Sequence, residues 1–400
     1  MTAAAPEARR FPTLNAVRAV AALGVVATHS AFATGEVNRG ALGAVLSRLD
    51  FGVALFFVLS GFLLGRPFFL AAARGHPHPS YRHFLWKRAL RILPLYWVTV
   101  VAALALLPEN DRASLRVWVT NLTLTQIYVR GPLPIGLTQM WSLCTEVLFY
   151  ALLPLMTAAL IGRVGAREKA PERILGGLVA FTVTGLLWQT LAASSSDVVG
   201  QHYHQWLPGF MPWFSVGLLF AVASVHSAAK PERSRWQWFD RAGEDLLGCW
   251  LVAAAVFAIA CTPIAGPRLL ITPSPWEALM KDALYTVSAA FFVLPLVFGP
   301  ETAGPVRRVA SSRPAVWLGD VSYGIFCLHL LALETVMELF DVKIFEGRFW
   351  EVFLTTVALT ILLSATSFYV LERPFLRLKN SGPFAPRAAT EKTRPRKASS

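Results

Sequence analysis

The sequence predicts an all-α polytopic membrane protein of about ten transmembrane helices with both termini cytoplasmic. Three observations carry this. First, the 400 residues are 55% hydrophobic and only 15% charged, with mean hydropathy +0.50, so polar surface is too scarce to coat a soluble globule. Second, apolar runs of spanning length recur along the whole chain, with 27 Gly and 26 Pro scattered through them rather than gathered in a linker. Third, basic residues segregate to alternate connections, as the orientation rule for membrane helices requires.

A bilayer core of about 30 Å needs about 20 helical residues. Ten runs qualify, at residues 14–33, 51–72, 89–107, 142–162, 174–193, 206–226, 246–263, 281–299, 315–337 and 349–371. The first ends at Ala31-Phe32-Ala33, nominally a signal-peptidase pattern. It is long enough to span and carries Arg18 and His29, so it is read as a retained helix. Residues 108–141 form the longest outside loop and hold Trp118, Ile127 and Tyr128, which suits an interfacial or lid-like segment. The domain organisation is therefore a cytoplasmic segment at 1–13, a membrane domain at 14–378 and a disordered basic tail at 379–400.

With the N-terminus inside, the inner segments hold 27 basic residues and the outer loops 9. Most of the net charge of +13 is thereby orientation and attraction to anionic membrane lipid, and no nucleic-acid partner is expected. Cys144, Cys249, Cys261 and Cys327 lie in apolar runs without zinc-ligand spacing, so neither a disulfide framework nor a metal is expected.

An ionisable side chain at membrane depth is costly and is a functional candidate by default. Arg18 and His29 lie eleven residues apart on the first span, which puts them on one face about 16 Å apart along the axis. Arg18 is near the inner end and His29 about two thirds of the way across. On the fourth span Ser142 and Glu146 share a face, followed by Tyr150. The ninth carries Ser322, Tyr323 and His329. His29, Glu146 and His329 fall at similar depth, which suggests one polar chamber. On the inner side Arg88 and Arg91 stand at i and i+3, so both guanidinium forks can face one phosphate group.

These runs together resemble the acyltransferase 3 family of integral membrane O-acyltransferases over about residues 12–378. Leu14 to Ala19 with His29 resembles its Arg, ten residues, His signature. Phe51 to Leu63 resembles the second-helix motif, and Arg88-Ala89-Leu90-Arg91 the RxxR motif. Trp141 to Glu146 resembles the fourth-helix block, while Gly319 to Gly324 with His329, and Glu372-Arg373-Pro374-Phe375, resemble the C-terminal blocks. Asn15, Ala54 and Val147 stand where the family often has acids. Some members carry a further esterase domain after the last helix; none follows here, so the membrane domain is expected to complete transfer itself or hand over to a separate protein.

The resemblance implies ten helices, a cytoplasmic acyl-CoA donor with no bound cofactor, and a bacterial plasma-membrane location. Acyl transfer needs a donor site, a base and an oxyanion site. Arg18, Arg88 and Arg91 are the expected donor clamp. His29 is the expected base with Glu146 orienting it, and Ser142, Tyr150, Ser322, Tyr323 and His329 are supporting candidates. Direct transfer is favoured over a covalent intermediate on Ser142 or Cys144. The acceptor is expected to be a cell-envelope glycan, a glycolipid or a secreted metabolite sugar. The rival class is a proton-coupled transporter of an anionic or lipid-linked substrate, using His29, Glu146 and His329 as a proton relay; a nonenzymatic lipid-interacting scaffold ranks third.

Overall fold

Lipid offers backbone amides no hydrogen-bond partner, so apolar runs of this length fold as helices that satisfy their own main chain. A computed structural model describes residues 11–162, 170–194, 202–229, 236–268, 271–300 and 304–380. Its helices are α1 (Thr13–Ala33), α2 (Gly40–Ser47), α3 (Gly52–Ala73), α4 (Tyr81–Leu106), α5 (Leu115–Leu122), α6 (Trp141–Ile161), α7 (Ala170–Ser194) and α8 (Met211–Ala229). They continue as α9 (Gln237–Glu244), α10 (Leu246–Ala260), α11 (Pro275–Phe298), α12 (Gly304–Ala310), α13 (Arg313–Asp320), α14 (Ser322–Leu339), α15 (Phe349–Ser367) and α16 (Arg373–Arg377). No strand occurs among the described residues.

Nine of the described helical segments are long and apolar enough to cross a membrane. The pair α9 and α10, bent by 88° at its break, makes a tenth if counted as one span. The all-α, roughly ten-span reading therefore holds, with three boundary corrections. The third span begins at Tyr81 rather than residue 89, because its basic first turns are helical too, opened by Ser80, whose side chain accepts from the His83 amide. The ninth is two helices, α13 and α14, broken at Val321. The last ends in a π-helical turn, Phe368–Glu372. Of the expected tail, Lys379 and Asn380 belong to a short helical turn, while 381–400 and residues 1–10 lie outside the described residues.

The first helix is central, packed against α3, α13, α14 and α15. The tightest crossing joins α3 and α8. Gly61 and Gly65 on α3, four residues apart, meet Gly217 and Leu218 on α8. A Cβ at Gly61 would lie 2.4 Å from the Phe214 carbonyl oxygen, and one at Gly217 would lie 2.1 Å from that of Val58. Backbones this close need small residues at the contact. The long loop is pinned rather than free. Tyr96 donates its hydroxyl to the Asn121 carbonyl, Trp97 its indole N–H to Leu122 at 3.0 Å, and Trp206 its own to Ile127 at 3.0 Å.

Candidate active site

The basic first half of α4 faces the N-terminal ends of α1 and α14. Arg91 donates through Nη1 to the Glu372 carboxylate at 3.0 Å and through Nη2 to the Asp320 carbonyl at 3.1 Å. Its guanidinium also sits 5.6 Å from the centre of the Tyr323 ring. Glu372 is buried, with 1% of its side chain exposed. Among the described residues Arg18 makes one long bond, 3.4 Å, to Asn15 Oδ1. The Nε of Arg88 is buried with no hydrogen-bond partner among the described residues.

All three arginines line one cavity that encloses about 750 Å³ of space between its atoms, mouth included. Ser142, Glu146, Tyr150, Ser322 and Tyr323 line it as well. So helices far apart in the chain bring the whole arginine set and most supporting candidates to one place. Ser322 donates to the Gly319 carbonyl at 2.7 Å, Tyr323 to that of Ile92 at 2.7 Å and Ser142 to that of Gln139 at 3.3 Å, so these three hydroxyl protons are already committed. Cys144 is buried, bonds the Met140 carbonyl at 3.3 Å and does not line the cavity.

Glu146 is not placed beside His29. It accepts from Ser60, hydrogen-bonds Tyr150, and feels the charges of Arg18 and Arg88. Equal depth along two helices does not fix the direction a side chain faces, and α6 turns Glu146 toward the arginines. The partner of His29 is His329, whose Nε2 lies 3.0 Å from His29 Nδ1, with ring centroids 5.0 Å apart. His329 Nδ1 lies 3.1 Å from the Ile325 carbonyl oxygen and 2.8 Å from that of Phe326. Neither histidine lines the cavity. Phe326 links the two regions, since it lines the cavity and its ring centroid is 6.2 Å from that of His329.

The sequence-predicted site residues do not include Ser60, or a polar group at the opposite end of the bundle from the arginines. There Lys281 donates to Asp50 at 2.7 Å, and Tyr285 donates to Asp50 at 2.5 Å and to the Arg48 carbonyl at 3.0 Å. Asp50 also acts electrostatically on His29. Asp50 stands just before the apolar run at 51–72 and Lys281 at the first position of that at 281–299. Scoring charges at span ends as well as span centres would have found them.

A family model described as an acyltransferase domain matches residues 11–370. Nodulation protein 10 of Rhizobium leguminosarum bv. viciae is 26% identical over 357 residues, covering 82% of this chain and 83% of that protein. Acyltransferase MdmB of Streptomyces mycarofaciens is 25% identical over 397 residues, covering 93% of each chain. The peptidoglycan O-acetyltransferase OatA of Listeria monocytogenes is 23% identical over 378 residues, covering 91% of this chain and 55% of that protein. No solved structure matches the chain. Because the family match runs through α1 and on to the turn that carries Glu372, this multi-pass membrane protein belongs to the acyltransferase 3 family.

Proposed function

We propose that the chain takes an acyl group from cytoplasmic acyl-CoA and places it on a hydroxyl of a cell-envelope glycan, glycolipid or secreted metabolite sugar. The observation that carries this reading is the cavity with three arginines around it. Arg18 has one long bond and Arg88 Nε has no partner, so guanidinium donors stand ready for an anionic group. In this reading that end of the bundle faces the cytoplasm, which the segregation of basic residues along the sequence supports. The acceptor class is supported by the relatives, one of which is a peptidoglycan O-acetyltransferase.

In the proposed reaction the arginines hold the donor phosphates while the thioester extends outward along α1. His29 takes the proton of the acceptor hydroxyl as its oxygen attacks the thioester carbon. The C–S bond then breaks, and the leaving sulfur takes the proton back from the imidazolium. An ester and a free thiol result. Glu146 stands among the arginines and accepts the Tyr150 hydroxyl, so that proton too is committed, and the pair shapes the donor cavity.

Protein reconstituted in lipid nanodiscs, given acetyl-CoA and extracted envelope glycan, tests the reading. Glycan-dependent thiol release and a matching acyl mass on the glycan are expected. Loss of the general base in His29→Ala should lower the rate by roughly 100- to 10,000-fold. Full activity in a well-folded His29→Ala protein, or no thiol release by the wild type, overturns it.

A further inference from the structure

The arrangement around His329 decides which nitrogen of His29 does chemistry. His329 Nδ1 is flanked by the carbonyl oxygens of Ile325 and Phe326, at 3.1 and 2.8 Å. A carbonyl only accepts, so this nitrogen carries the ring proton. In the neutral ring the other nitrogen, Nε2, is then an acceptor. That acceptor lies 3.0 Å from His29 Nδ1, which must therefore donate. The carbonyl of Val25, one turn back on α1, also bonds the His29 ring and is a further acceptor. With its proton on Nδ1, His29 is left with a bare lone pair on Nε2, which points away from α14.

We infer that His329 is the positioning residue of this enzyme: through its main-chain lock it fixes the tautomer of His29, making Nε2 the base. The inference rests on the reading of His29 as the base. It goes further in assigning the role that a carboxylate holds in a catalytic triad to a neutral imidazole. The chain His329 N–H to carbonyl, His29 N–H to His329, needs no buried charge at rest. His329 is fully buried, so a carboxylate in its place would have to be desolvated, whereas a neutral ring is not penalised in that way. When His29 gains a proton at Nε2, the Nδ1–H bond becomes charge-assisted and strengthens, so the support grows as charge develops. Among the described residues Asp50, on the approach to α3, is the carboxylate that acts electrostatically on His29, and it is already bonded to Lys281 and Tyr285.

Two measurements test this. In the nanodisc assay, His329→Leu keeps the bulk but removes the acceptor. It is expected to lower kcat about 10- to 150-fold with the KM for acetyl-CoA unchanged. His329→Gln, whose Oε1 can accept where Nε2 did, is expected to recover most of that loss. A purely packing role predicts the opposite order, and a Gln variant as impaired as Leu overturns the inference. Independently of activity, nitrogen NMR of protein labelled with ¹⁵N-histidine, with the His29 signals identified by their loss in His29→Ala, should show a protonated Nδ1 and a bare Nε2. A proton on Nε2 overturns the inference even if transfer is confirmed. A wild type that releases no thiol sinks the proposed function and leaves the tautomer to be decided by the spectrum.

Discussion

Arg88→Ala removes a guanidinium whose Nε is buried without a partner, so the substitution breaks no hydrogen bond at that nitrogen. Its effect should fall on the donor. A hydrogen bond to a charged group contributes about 1.5 to 3 kcal/mol. At about 1.4 kcal/mol per tenfold, the KM for acetyl-CoA should rise roughly 10- to 150-fold. Thiol release is measured against donor concentration for acetyl-CoA and for a truncated donor, S-acetyl-N-acetylcysteamine, which lacks phosphate. The wild type should lose affinity on truncation, and Arg88→Ala should handle the truncated donor as the wild type does, because the contact is absent from both. The coupling in this cycle isolates the guanidinium–phosphate term. Arg88→Lys keeps a point charge but not the fork and should fall between. If Arg88→Ala impairs both donors equally, the arginine does not contact the phosphates and the clamp is wrong.

Two further outcomes concern the frame that holds the site. Glu372→Gln breaks a 3.0 Å pair whose acid is almost wholly buried, so the unfolding temperature in detergent should fall, corresponding to about 1 to 3 kcal/mol. Arg91→Met combined with Glu372→Leu should melt higher than the single variant, since no lone charge is left behind; a single variant as stable as wild type would show that the pair is not holding the frame. Gly217→Ala sets a methyl group against the Val58 carbonyl and the Phe62 amide, forces α3 from α8, and should cost about 1 to 3 kcal/mol. Monodisperse yield by fluorescence size-exclusion reads this, with Gly176→Ala, where a Cβ meets nothing within 4 Å, as the unaffected control.

The spans were legible because lipid imposes length and apolarity on each helix separately. The start of α4 was less so, because hydropathy falls across Arg82, Lys87 and Arg88 while the helix continues. The break at Val321 depends on a contact absent from local sequence. A Cβ at Gly319 would stand 2.2 Å from the Asn15 carbonyl oxygen, so α13 is pressed onto α1 and the chain turns there. Helical period sets Arg88 and Arg91 on one face of α4, which lines a single cavity together with Arg18 of α1. It could not place Glu146, because depth is read from sequence position whereas facing depends on how α6 is rotated against α3 and α1. Glu372 was visible in a motif, but its partner Arg91 lies 281 residues away and only the fold joins them.

The separation of the two halves of the site has a physical reason. An arginine cluster favours anions, and a base beside it would be held neutral by the same field that binds the donor, yet could not gain a proton without meeting like charge. Eleven residues of α1 separate Arg18 from His29, about 16 Å along the axis. That places the histidine pair outside the arginine cavity, with Asp50 rather than Arg18 as its charged neighbour. Glu146, set among the arginines, offsets cationic charge where the cavity has most of it. In the proposed reaction one rigid helix, packed on α3, α13, α14 and α15, sets the distance between phosphate anchor and base. A donor long enough to bridge that distance reaches the acceptor without the donor's charged end ever entering the apolar outer half.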